Sequence, residues 1–224
     1  MFSIFRDADQ LENVEEQLDT MLNGGRRMFD LASDSIFSIK SVEDVQDELW
    51  GLDKELNKTE RAVRRELMVH GTVRGAEVDQ GLMLAYMSVA KDMERIGDYC
   101  KNIWDLADTG VRLSDAADTA ELKKHASEVA GLLAAGTEAF VNDDFEAVHD
   151  LIPNIQENEL QYDKLVHQYV VSDAAGSVAA PRALFFRYLK RISAHLSNVL
   201  SSVVMPVDRL DFYKESKAID AESD

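Results

Sequence analysis

The amino-acid sequence predicts an all-α fold in which two tandem three-helix bundles pack side by side, giving six long antiparallel helices. One observation is that the 224 residues contain only three prolines, Pro153, Pro181 and Pro206, so helices can continue over most of the chain. Another is that apolar residues recur at steps of three, four or seven, which is the spacing of one helix face. No segment alternates with period two as a half-buried strand would, so we expect no sheet.

Three helices are predicted in the first half of the chain. Their approximate ranges are 10–38, 42–70 and 78–107. We expect Gly24 and Gly25 to interrupt the first helix, and Gly71 and Gly75 to mark a break after the second. The third helix has the clearest pattern, an unbroken four-three series of apolar residues: Leu82, Tyr86, Val89, Met93, Ile96, Cys100 and Ile103. This series predicts the buried face of that helix.

Three further helices are predicted in the second half. Their approximate ranges are 114–142, 145–171 and 182–205. We expect Pro153 to kink the fifth helix. Small residues at 172–181 predict a loop before the sixth helix, which stops before Pro206.

A faint internal repeat links the two halves. Arg95 and Asn102 of the third helix recur at one constant offset as Arg191 and Asn198 of the sixth, and the apolar positions between them recur too. Such self-similarity is typical of a duplicated unit. We therefore divide the chain into a first three-helix repeat at 1–110, a second at 111–208 and a polar C-terminal tail at 209–224.

Composition narrows the possible functions. The formal net charge of -18 argues against nucleic acid as a partner, because phosphate backbones would be repelled. An excess of carboxylates suits cation binding, although it also serves solubility. No apolar run is long enough to span a membrane. Cys100 is the only cysteine, so no internal disulfide can form, which fits a reducing cytoplasm.

Two polar pairs could form a metal site. Glu94 and Asp98 lie four residues apart on the third helix and therefore share one helix face. Asp53 and Asn57 have the same spacing on the second helix, so four oxygen-bearing side chains could converge if the two helices are neighbours. Such ligands suit Fe, Mn, Mg or Ca, and Zn is possible. The alternative is a solvated face on which the acids pair with nearby bases: Lys91, Arg95 and Lys101.

The segment from Asp92 to Asp98, Asp-Met-Glu-Arg-Ile-Gly-Asp, resembles the signature helix of the PhoU family of phosphate-uptake regulators. That family usually reads Asp-Leu-Glu-Arg-Ile-Gly-Asp followed by histidine, where this chain has Tyr99. The segment 52–57 resembles the matching part of the family's second helix. The resemblance covers about residue 42 to the end of the sixth helix.

The resemblance implies two similar three-helix bundles and a cytoplasmic, non-enzymatic regulator of phosphate uptake and signalling. Such a protein would contact a phosphate transporter subunit, a sensor histidine kinase or both, and a homodimer and peripheral membrane association are allowed. The family's paired acidic motifs bind iron or zinc, which nominates Asp53, Asn57, Glu94 and Asp98 for one metal site (Fe, Zn, Mn or Mg). No organic cofactor and no catalytic residue are implied.

The second repeat departs from this pattern. Lys190 stands where the glutamate belongs and Ala194 where the aspartate belongs, while Glu157 and Gln161 occupy the partner positions on the fifth helix. A lysine and an alanine cannot hold a cation, so we expect at most one metal site, in the first repeat. We also expect Lys190 to replace the second metal by forming a salt bridge with Glu157.

Other interpretations stay open at this level. The sixth helix carries four basic residues: Arg182, Arg187, Lys190 and Arg191. They could bind an acidic partner, an anionic membrane or phosphate, or they could simply pair with nearby acids. The chain could also be a metal-binding helical bundle with its own metal-dependent chemistry. A third possibility is a metal-free structural adaptor.

Overall fold

The computed structural model describes residues 11–75, 79–115, 117–206 and 209–210, and these contain six helices and no strand. The predicted all-α fold is therefore confirmed. Residues 211–224, most of the predicted tail, lie outside the described part. The helices are α1 (Glu12–Ile36), α2 (Val42–Arg74), α3 (Gln80–Asp108), α4 (Thr119–Val141), α5 (Phe145–Val170) and α6 (Gly176–Val204).

The helices pack as two groups that meet along two contacts. Helices α1, α2 and α3 contact one another, and so do α4, α5 and α6. Between the groups, α3 lies against α6 and α1 lies against α4. Within the described residues, no helix is both long and apolar enough to cross a bilayer.

The predicted interruption of α1 is wrong, because the helix continues through Gly24 and Gly25. The structure shows what the small residues do there. A Cβ on Gly24 would lie 2.6 Å from Leu56 Cδ1, and a Cβ on Gly97 of α3 would lie 2.8 Å from Leu56 Cδ2. Glycine therefore lets α1 and α3 approach the same α2 leucine, and this close packing outweighs the helix-breaking tendency of glycine.

Three further boundaries differ from the prediction, and one is the start of α4, which lies at Thr119 rather than near residue 114. Helix α2 continues past Gly71 to Arg74, and the other predicted break residue, Gly75, follows it with a φ of 57°, in the left-handed region that glycine adopts easily. Helix α6 begins at Gly176, so most of the predicted loop is helical and Pro181 lies inside it. Helix α5 continues through Pro153, as its predicted range requires, and the kink at that residue stays a prediction. Both prolines lie in the first half of their helices.

The buried face of α3 agrees with the predicted series, since six of its seven residues are buried and Leu82 is partly buried. A second cluster, of aromatic rings, fills the space among α4, α5 and α6. Phe186 of α6 lies at its centre, with ring centroids 5.4 Å from His125, 5.7 Å from Phe185, and 6.0 Å from Tyr162 and Tyr169.

A partly buried ion pair fastens the start of α6 to the start of α4. Arg182 donates from Nη2 to Asp118 Oδ1 at 2.6 Å and from Nε to Oδ2 at 2.7 Å, and the Tyr169 hydroxyl donates to Oδ2 at 3.1 Å. The hydrogen bond from Arg182 is the largest cause that lowers the pKa of Asp118 below its usual value. Two-point contact of this kind is stronger and more directional than a single hydrogen bond.

Because of the Arg182–Asp118 pair, the free energy of unfolding should decrease as the pH becomes acidic. Because the pKa of Asp118 is lower in the folded protein than in the unfolded chain, its contribution is present above the unfolded pKa of about 3.9 and is lost as pH falls through the folded pKa. We expect Asp118→Asn to lower the free energy of unfolding by about 1–2 kcal/mol at pH 7. Urea unfolding between pH 7 and pH 3 should show that this deficit shrinks as pH falls.

Glu48→Gln is the control, because the Arg27–Glu48 pair is about half exposed, with side chains 45% and 48% accessible. Its deficit should be smaller, since water screens an exposed pair. A deficit in Asp118→Asn that does not change with pH would show that the ion pair is not its source.

Candidate functional site

The two α3 carboxylates of the predicted metal site lie together at the edge of the bundle. The side chain of Glu94 is 16% exposed and that of Asp98 is 32% exposed. Arg95 lies beside both, with Nη1 3.2 Å from Asp98 Oδ2 and Nε 3.9 Å from Glu94 Oε2. The two acids therefore flank the core, and a neighbouring cation already partly neutralises them.

A third carboxylate adds negative charge here. Glu60 of α2 is buried, and its Oε1 accepts from Arg64 at 2.6 Å. Burial is the largest cause that raises the pKa of Glu94, and repulsion from Asp98 and Glu60 raises it further. A carboxylate with a raised pKa gains from a nearby cation, since a positive charge favours its ionised form. Sequence analysis missed Glu60, although it lies seven residues after Asp53 and therefore on the same helix face.

The two α2 residues of the predicted site, Asp53 and Asn57, already bond to other groups of the protein. Asp53 is buried, and its Oδ1 lies 3.0 Å from Nζ of Lys101, which also stacks 4.7 Å above the ring of Trp50. The amide of Asn57 donates to the backbone oxygen of Asp53 at 2.9 Å. Lys101 thus holds the place beside Asp53 that a metal ion would need.

The donor set fits a cation only in part. Among the residues that the structure describes, no group of three or more histidine, cysteine, aspartate or glutamate side chains is placed to hold a metal ion. Glu94 and Asp98 have suitable charge and exposure, whereas Asp53 would first have to release Lys101. Metal binding by these four residues remains a prediction.

The second repeat keeps its acids in a different register from the predicted one. A spacing of 106 residues separates the buried pairs Val42 and Val148, Leu49 and Ile155, and Leu56 and Tyr162. The same spacing pairs the α2 site residues 53 and 57 with 159 and 163. The partner positions on α5 are therefore Glu159 and Asp163 rather than Glu157 and Gln161.

Lys190 forms its salt bridge within this register. Its Nζ forms a salt bridge with Asp163, not with the predicted partner Glu157. Lys190 occupies the position of Glu94, and Asp163 occupies that of Asn57. The predicted Lys190–Glu157 pair is wrong: Lys190 bonds instead to Asp163, the equivalent of Asn57, one turn further along α5 than Glu159, the equivalent of Asp53.

Most of the basic side chains on α6 bond to nearby acidic or aromatic side chains. Arg182 bonds to Asp118, Lys190 to Asp163, and Arg191 to the Tyr99 hydroxyl at 3.1 Å. Only Arg187 is exposed without a described bonding partner among these four. The cluster is therefore largely part of the scaffold.

A buried polar network joins α3 to α6, and sequence analysis did not nominate it. Asp92 Oδ1 lies 2.5 Å from His195 Nδ1 and accepts from Asn198 Nδ2 at 3.3 Å. Asp92 and His195 are both buried, with 9% and 7% of their surface exposed. Tyr99 stacks on His195 with ring centroids 5.7 Å apart.

The contacts of His195 determine its tautomer. An arginine nitrogen can only donate, and Arg191 Nη2 lies 3.0 Å from His195 Nε2. Nε2 therefore accepts, and the ring hydrogen lies on Nδ1, which donates to Asp92. The internal repeat contained a signal for this network, because the offset that pairs Arg95 with Arg191 also pairs Tyr99 with His195.

Comparisons with known proteins agree on one family. The model of the PhoU domain matches residues 18–107. The crystal structure of PhoU from Pseudomonas aeruginosa superposes with a TM-score of 0.76 at 20% sequence identity, covering 87% of this chain and 95% of that one. No curated protein sequence matches this chain. Residues 18–107 therefore match the PhoU domain, and the chain shares the fold of the Pseudomonas aeruginosa protein.

Proposed function

We propose that the protein regulates phosphate uptake and phosphate signalling by direct contact with a phosphate transporter subunit, a sensor histidine kinase or both. The observation that supports this most is the PhoU domain at residues 18–107, which indicates a role in phosphate regulation. The proposal places the protein in the cytoplasm, where both partners would present their regulatory parts, and treats it as a binding protein rather than an enzyme.

The packing of the molecule suits a rigid adaptor. Six long helices present extended faces, and two polar links hold the two groups of helices: the Asp92–His195 network between α3 and α6, and the Arg182–Asp118 pair within the second group. A rigid face loses little conformational entropy on binding, which favours specific contact.

We further propose that a cation at the α3 edge conditions this contact. Glu94 and Asp98 would hold the ion first, and Asp53 would join them when Lys101 moves away. The ion would then compete with Lys101 and Arg95 for the same carboxylates. Because the pKa of Glu94 is raised, acid pH should weaken the site, since the proton competes with the metal.

Metal binding can be tested without any partner. In equilibrium dialysis with Mn²⁺, we expect Glu94→Gln combined with Asp98→Asn to weaken binding at least about tenfold, because one charge-assisted ligand contributes about 1.4 kcal/mol or more. Lys101→Met should strengthen binding, because it frees Asp53. Asp163→Asn on α5 is the control and should bind as the wild type does. Equal binding by all four proteins would contradict the proposed site.

The regulatory role requires an experiment in the protein's own cells. The tagged protein should be cross-linked and co-purified from phosphate-rich and phosphate-starved growth. We expect specific recovery of a phosphate transporter subunit or a sensor kinase, with an amount that changes with phosphate supply. Recovery of neither in both conditions would contradict the proposal and leave the family likeness as one of fold alone.

A further inference from the structure

The solvent-facing side of α2 carries a regular series of basic residues. Lys54, Lys58, Arg61 and Arg65 are all exposed and follow one another at steps of four, three and four. The series continues at the same steps with exposed Met68 and Thr72. Steps of alternating four and three residues place side chains in one line along a helix, as on the contact line of a coiled coil. We call these six positions the α2 face.

The basic charge of the α2 face is not neutralised within the described part of the chain. None of its four cations forms a salt bridge there. The buried acid beside them, Glu60, forms its salt bridge with Arg64. Glu66 instead accepts from Asn13 at 2.5 Å and Gln17 at 2.9 Å.

The local charge runs against that of the whole molecule. Between residues 54 and 74 there are six lysines and arginines and only three acids, in a chain whose net charge is -18. Exposed like charges in one line repel one another, so they cost stability unless a partner offsets them. The α2 face is therefore a localised positive strip on an acidic protein.

An exposed apolar group lies at the far end of the strip. Met68 is 64% exposed, Val69 57% and Val73 78%, and Leu84 at the start of α3 is 61% exposed. Single exposed apolar residues are ordinary, but several at one end of a helical pair indicate a contact surface. A partner along the α2 face could therefore gain both from charge complementarity with the cations and from burial of these apolar side chains.

We propose that the α2 face binds an acidic α-helix of a partner protein, with carboxylates against the four cations and apolar side chains against Met68. The single-file, four-three spacing matches the repeat of a second helix, and the cations span about 16 Å along α2. A flat anionic membrane fits less well, because it would also face the surrounding acidic surface within the Debye length of about 8 Å. This inference rests on the proposed function only in supposing a protein partner.

A designed peptide tests the inference directly. The probe is a helical peptide about three heptads long, with four glutamates spaced four, three and four residues apart and leucine at the next step on either side. Its affinity for the full-length protein is measured by fluorescence anisotropy at 0.05 and 0.15 M salt. We expect binding that weakens with salt, and at least a tenfold loss with Arg61→Glu and Arg65→Glu together. A peptide with lysine in place of glutamate should bind that variant instead.

Two controls separate this site from general charge effects. A scrambled peptide of the same composition should bind at least tenfold more weakly than the probe. Lys124→Glu combined with Arg187→Glu makes the same change in net charge on other helices, and it should bind the probe as the wild type does. All variants alter exposed side chains, and circular dichroism should show that each retains the helical fold.

Three results would overturn the inference. They are equal binding of the scrambled peptide, equal loss in the Lys124 and Arg187 variant, and binding to phosphatidylserine vesicles that depends on Arg61 and Arg65 while the peptide does not bind. The last result would identify a membrane surface as the occupant. Because the peptide assay needs neither transporter nor kinase, its failure would leave the proposed regulatory function standing.

Discussion

Asp92→Ala is expected to lower the free energy of unfolding by about 3 kcal/mol. The change removes the acceptor shared by His195 and Asn198, and hydrogen bonds to a charged group contribute about 1.5–3 kcal/mol each. It leaves the buried His195 Nδ1–H without a partner in the space between α3 and α6. In a protein of this length the melting temperature should fall by about 6–12 °C, which urea unfolding and calorimetry can measure together.

Asp92→Asn sharpens this test, because it keeps an oxygen acceptor at the same place and removes only the charge. It should be less harmful than Asp92→Ala. Asp150→Ala is the surface control, since that side chain is 89% exposed, and it should change stability by less than about 0.5 kcal/mol. A stability of Asp92→Ala within that margin of the wild type would mean that the α3–α6 contact depends on apolar packing alone.

Phe186→Ala is expected to be the most destabilising single change, at about 3–5 kcal/mol. Phe186 is 1% exposed and touches four other aromatic rings, so its removal leaves a cavity that rigid rings cannot easily refill. The loss includes the transfer of the ring from water, the cavity and the specific ring contacts. Denaturant unfolding and the near-ultraviolet circular dichroism of the tyrosines should both report it.

Phe145→Ala is the matched control, because Phe145 is the first residue of α5 and is 38% exposed. It should cost much less, since it leaves no enclosed cavity. Phe186→Leu should fall between the two, because leucine refills part of the volume. If Phe186→Ala and Phe145→Ala were equally stable, the aromatic cluster could not be the core that holds α4, α5 and α6 together.

These expectations bear on function as well as stability. A regulator of the proposed kind depends on helix faces that keep their relative positions, and Asp92 and Phe186 act on two different contacts that set those positions. Asp92 acts between the two groups of helices, and Phe186 acts inside the second. Partner binding that fails in Asp92→Asn while the protein stays folded would show that the α3–α6 contact is needed for recognition.

The sequence alone determined the fold class, most helix positions and the buried face of α3. These follow from local causes: the few prolines, the four-three apolar spacing and the residues that start and end helices. The segment from Asp92 to Asp98 also resembles the signature helix of the PhoU family, whose domain model matches residues 18–107. Such features depend on residues near one another in the chain, so they can be predicted without knowledge of the tertiary structure.

Only the tertiary structure decided which groups meet across helices. Gly24 appears in sequence as a helix breaker, yet it serves the approach of α1 to Leu56. The partner of Lys190 is Asp163 rather than Glu157, six residues earlier on α5, and only the packing of α5 against α6 decided between them. Lys101 and Asp53 likewise form a contact that the sequence of neither helix predicts by itself.

The buried network of Asp92 and His195 illustrates the physical reason. Each residue is ordinary in its own helix, and their sequence separation is 103 residues. Whether a carboxylate becomes a metal ligand, a surface charge or a buried hydrogen-bond acceptor depends on the side chains that packing brings against it. Periodicity reports which face of a helix is buried, whereas pairing across helices depends on the rotation and register of each helix, which only the assembled fold sets.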